Sequence, residues 1–108
     1  MLPPDYASEA SRLIEGRLAP IRLLTLAEAA SLPDTNGIDT VIAGVKASIT
    51  TFRYTSPYQL EGSILVVVLV ARPRWFGMAE HHIERGLVFS ADGKVRDATE
   101  RELQNSGG

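Results

Sequence analysis

The run Ile64-Leu65-Val66-Val67-Val68-Leu69-Val70-Ala71 is apolar at every position. Successive side chains of a strand leave on opposite faces, so a strand made of this run carries hydrocarbon on both sides and has to be covered on both. It is far shorter than the ~20 residues that cross a bilayer as a helix. Any fold of the chain has to be built around this segment. Ser56-Pro57-Tyr58 and Glu61-Gly62 precede it and Pro73 closes it, which places the strand over Ser63 to about Arg72.

The segments on either side supply the cover. Tyr6, Ala10, Leu13, Ile14 and Leu18 recur at the spacing of one helical face, with Pro3 and Pro4 suited to the first turn. Pro20 is expected to end that helix near Arg17 to Ala19. Thr25-Leu26-Ala27-Glu28 has capping-box spacing and starts a second, short helix that stops before Pro33. Pro33-Asp34-Thr35-Asn36-Gly37 reads as a turn. From Thr40 the period becomes two: Val45, Ala47 and Ile49 alternate with Lys46, Ser48 and Thr50, and Phe52 and Tyr54 continue the polar parity. Beyond the apolar run, His82 to Ser90 and Lys94 to Asp97 read as two strands joined through Ala91-Asp92-Gly93. Thr99-Glu100-Arg101-Glu102-Leu103 reads as a final helical turn.

The expected fold is therefore α+β: two N-terminal helices on one face of an antiparallel β-meander of three to four strands, with a short C-terminal helical turn. A chain of 108 residues has room for one such domain, residues 1–104, followed by a flexible tail, 105–108. Two short helices cover only one sheet face. The expectation for the other face is a partner, in the first instance a second copy of the chain.

Composition narrows the chemistry. There is no cysteine, which removes disulfide frameworks, thiolate metal sites and thiol catalysis, and makes a reducing, cytoplasmic setting the expectation. Met1-Leu2-Pro3-Pro4-Asp5 lacks the basic and apolar regions of a signal peptide, and no membrane association is expected. The net charge is −2, which disfavours nucleic acid as a partner, although residues 40–76 carry Lys46, Arg53, Arg72 and Arg74 against Glu61 alone. No G-x-S-x-G elbow, P-loop, G-x-G-x-x-G or H-E-x-x-H is present, so the commonest hydrolase, nucleotide and metalloprotease signatures are missing.

Two constellations remain as candidate sites. Arg72, Arg74 and Trp75, at the far end of the apolar strand, have the composition of a protein-binding hot spot, and Phe52 and Tyr54, nearer the turn on the neighbouring strand, belong with Lys46, Ser48 and Thr50 to a stripe that a ligand or another protein would use. The competing reading makes Trp75 and Phe76 a plug over the end of the sheet, because a lone tryptophan in a small domain is usually buried. Glu80, His82 and Glu84 share one face of an extended chain beside His81, a set that acid–base work or a cation would use. A polar strand entry facing water explains the same residues, and no second ligand cluster supports a metal, so neither metal nor cofactor is expected.

The order of two helices and a meander ending in Gly86-Leu87-Val88-Phe89-Ser90-Ala91-Asp92-Gly93-Lys94-Val95 resembles the small lipoproteins of outer-membrane barrel assembly. The resemblance covers only that hairpin and the element order; the lipidated cysteine is missing, and no residue role is carried over. From the residues, the functional expectation is a small non-enzymatic interaction module, an adaptor, inhibitor or immunity-type binder, self-associating through its sheet. The alternative is a ligand-binding domain or enzyme with a pocket between sheet and helices using His81 or His82 with Glu80 or Glu84. The third is nucleic-acid binding through the basic middle segment.

Overall fold

A computed structural model describes residues 4–57, 60–72 and 82–105, with His82 and Asn105 described in their backbone alone. The elements are α1 (Tyr6–Ile21), α2 (Leu26–Ala30), β1 (Thr35–Ile42), β2 (Val45–Thr55), β3 (Ile64–Ala71), β4 (His82–Phe89), β5 (Val95–Asp97) and α3 (Glu100–Asn105). The five strands form one antiparallel meander in the order β1-β2-β3-β4-β5. The α+β arrangement is as the sequence implies, with one strand more.

The additional strand is β1. Asn36-Gly37, which reads as turn chemistry, lies within it, and the turn comes later, at Ala43-Gly44, where φ is 50° and 77°. Two successive residues of positive φ make the tight hairpin turn whose twist matches that of the flanking strands. Gly44 adopts it freely; Ala43 pays about 1–2 kcal/mol for the left-handed conformation. A carboxylate oxygen of Glu9 on α1 accepts the Ala43 N–H and fixes the turn to the helix.

β3 lies at the centre. On its first face Ile64, Val66, Val68 and Val70 pack with Leu87 and Phe89 of β4 and Ala47 and Ile49 of β2 beneath Tyr6, Ala10, Ile14 and Leu18 of α1. Leu13, expected on that helical face, is exposed. α1 runs one turn past the expected end because Pro20 forgoes only its own N–H bond, and the Arg22 N–H still reaches the Leu18 carbonyl at 2.9 Å. α2 begins on the capping box expected of Thr25 and Glu28.

The second face corrects an expectation. Leu65, Val67 and Val88 are buried within the single chain, under Leu103 of α3 and Ala98, with Phe52, Tyr54 and Leu60 packed around them. No open apolar face on β3 is left for a partner. Gly86 makes this closure possible: a Cβ there would stand 2.9 Å from the Val66 carbonyl oxygen and 3.0 Å from a Leu103 methyl. α3 starts on a second capping box, the Glu102 N–H donating to Thr99 Oγ1 and the Thr99 N–H to Glu102 Oε1. Arg96 grips the same Glu102 with two hydrogen bonds of 2.7 and 2.6 Å. This guanidinium is the main cause that holds the Glu102 carboxyl down at about 2, helped by the Thr99 N–H and opposed by burial. Asn105, assigned from sequence to the tail, closes α3.

Candidate interaction surface

Of the first candidate site, the structure separates Arg72, beyond the Ser48–Ala71 pair, from Phe52 and Tyr54 farther along β2. Phe52 and Tyr54 lie on the second sheet face, half-buried and stacked with ring centroids 6.3 Å apart, where they wall the small core around Val67. Burial raises the Tyr54 hydroxyl pKa, and the Glu84 charge adds to the effect. These rings pack the protein's own interior instead of standing free as anchors. Arg72 follows the end of β3, half-buried; its charge partly offsets the rise that burial imposes on the Tyr6 hydroxyl. Arg74 and Trp75, and with them the reading of Trp75 and Phe76 as a plug, lie outside the described residues.

Of the second candidate set, Glu80 and His81 also lie outside the described residues, and His82 opens β4. Glu84 is opposite Leu69 on the second face, with Oε2 buried and without a hydrogen-bond partner among the described residues. Among those residues no cluster of three or more His, Asp or Glu could hold a metal ion. A groove of about 640 Å³ runs beside the part of β4 that β5 does not cover, between α1 and α3. Its two arginines are held by carboxylates, while Glu84 and Glu100 line it with no ion pair among the described residues. Arg22 donates to Asp97 at 2.7 Å and to Glu15 at 3.4 Å, and Arg85 donates to Glu15 at 3.1 Å. The groove joins α1 to β4 and β5 through exposed ion pairs, each worth well under ~1 kcal/mol, and presents no activated nucleophile.

The surface that stands out was not legible as a site. β1 is the first edge of the sheet, and six of its eight residues are exposed, on both faces. Ile38 on the first face keeps 52% of its surface in water and Val41 on the second 61%. The Asp34 carbonyl accepts the Arg53 N–H at 3.0 Å, and backbone direction alternates along a strand. Asn36, Ile38, Thr40 and Ile42 therefore turn their peptide groups toward β2, and Thr35, Gly37, Asp39 and Val41 turn theirs outward. Among the described residues no strand meets that row.

Folded proteins usually blunt such an edge with lysine, proline, a bulge or short length. β1 is in unbroken register with β2 over all eight residues and holds neither lysine nor proline. Asp39 is its one charge. The opposite edge is treated differently: β5 has three residues, with Lys94 and Arg96 at and beside them. Arg53 fixes where β1 begins. Its side chain, 18% exposed, donates to the Leu32 carbonyl at 2.7 Å, to Thr55 Oγ1 at 2.6 Å and to the Asp34 carboxylate, tying the α2–β1 connection to β2. Near the same end, Arg17 of α1 donates to Thr51 Oγ1 at 3.1 Å and to the Asn36 carbonyl at 3.4 Å. The edge is thus tied down at its start by Arg53 and Arg17 and at its closing turn by Glu9.

Comparison with known proteins supplies no family: no family model, no curated protein and no solved structure matches the chain. Among the described residues no helix is long and apolar enough to cross a membrane.

Proposed function

We propose that the chain is a non-catalytic protein-interaction module that associates by strand addition at β1, and that self-association is its first expression. One observation carries this reading: a full-length edge strand is exposed on both faces, with Asp39 as its one charge and its outward peptide groups unpaired among the described residues. An added strand would satisfy those groups and cover Ile38 and Val41, which is how sheet edges recognise extended partners. In the groove beside β4 both arginines are already held, Arg22 by Glu15 and Asp97 and Arg85 by Glu15, which leaves neither cation for a substrate.

Sedimentation from micromolar to submillimolar concentration, on the parent and on Asp39→Pro, tests the reading. The Asp39 N–H points outward, so proline there removes an edge donor and no bond to β2. The expected result is reversible association of the parent and a monomeric variant whose melting temperature lies within a few degrees of it. A parent that stays monomeric throughout, or a variant that associates equally well, contradicts the proposal.

A further inference from the structure

We infer that the strand β1 accepts is β1 of a second copy, antiparallel, in the one register that places Ile38 opposite Ile38 on a two-fold axis. The inference rests on β1 being the working edge and adds the partner and its geometry. A two-fold axis normal to the sheet pairs residues whose numbers sum to an even value, because each strand face must meet its like. Within β1 the longest overlaps are those centred on Ile38 and on Asp39. The Asp39-centred register sets two carboxylates directly opposite each other, which opposes pairing. Centring on Gly37 or Thr40 leaves much of the strand unpaired.

The Ile38-centred register meets every requirement that the structure sets. Gly37 faces Asp39 of the second copy and Thr35 faces its Val41, so all the outward residues both donate and accept. Ile38 has its own peptide groups on β2 and forms the close, non-hydrogen-bonded pair at the axis. Since Ile38 is opposite Ile49 within the chain, the contact creates an unbroken row of four isoleucines, two from each copy, across the first face. On the second face the row reads Lys46, Val41, then Thr35 and Phe52 of the second copy. The charge of Asp39 meets a glycine. The two five-stranded sheets become one.

Single-cysteine scanning tests the register, and the absence of any native cysteine makes each introduced thiol unique. Non-hydrogen-bonded antiparallel pairs hold Cα atoms ~4.5 Å apart, within the reach of a disulfide. Ile38→Cys is expected to give a covalent dimer under mild oxidation, many times faster than Asp39→Cys, Thr40→Cys or the exposed control Leu23→Cys. Preferred cross-linking at position 39 or 40 would overturn the register and leave β1 as the contact. A dimer by sedimentation with all these positions no faster than the control would place the contact elsewhere and overturn the proposed edge as well. Monomeric variants, with a monomeric parent, would reject self-association altogether.

Discussion

β3 and β1 are both eight-residue strands of one meander, two places apart. Seven residues of β3 are buried and Leu69 is half-buried, whereas six residues of β1 are exposed. β3 has a neighbour on each side, α1 over one face and α3 with its surroundings over the other. β1 has one neighbour and little cover on either face. One strand carries the stability of the domain and the other adds little beyond its ladder to β2. What β1 lacks in protection it keeps as capacity to pair, and the same sheet thus provides a rigid interior and an open edge.

The contrast should be largest in truncation of the two strands. At concentrations low enough to keep the protein monomeric, Ile64→Ala and Leu65→Ala are expected to cost ~2–5 kcal/mol each in chemical denaturation, one on each sheet face. Ile38→Ala and Val41→Ala should stay within about 0.5 kcal/mol, as for exposed positions. Comparable losses at the two strands would break the comparison. Arg53→Ala comes next, at about 1–3 kcal/mol, because it leaves the Leu32 carbonyl and Thr55 hydroxyl without their donor. Its specific signature is faster amide exchange at the start of β1 with β3 unchanged.

A smaller effect falls on the second-face cover and depends on pH. Glu102 has a carboxyl pKa lowered from 4.5 to about 2. A depressed carboxylate stabilises the fold above its unfolded value, and that contribution is lost as pH falls through the folded one. The stability difference between the parent and Arg96→Ala should therefore be present at neutral pH, shrink below about 4.5 and vanish near 2. A difference that persists undiminished at the acid end would show that Arg96 does not act through Glu102.

The sequence made β3 readable because an apolar run at both parities admits few alternatives, and α1 because Tyr6, Ala10, Ile14 and Leu18 keep a strict spacing. β1 was hidden by its own composition. Asn36-Gly37 has turn chemistry and nevertheless pairs with Thr51 and Thr50. The true turn uses Ala43, a residue that left-handed backbone disfavours, stabilised by Glu9 from a helix 34 residues away in sequence. The β-branched residues Ile38, Thr40, Val41 and Ile42 before Ala43-Gly44 were the available signal. The burial of the second face depended on Leu103 meeting Gly86, a tertiary approach with no local trace. The candidate edge was missed with its strand, since openness is a property of the sheet order and not of any residue type.

Amide exchange followed residue by residue at increasing protein concentration tests the central claim most directly. Asn36, Ile38 and Thr40, whose peptide groups face β2, should be protected at every concentration. The outward amides of Thr35, Gly37, Asp39 and Val41 should exchange freely in dilute solution and slow together as concentration rises. Free exchange of those four amides at every concentration would contradict the assignment of β1 as the edge through which the protein associates.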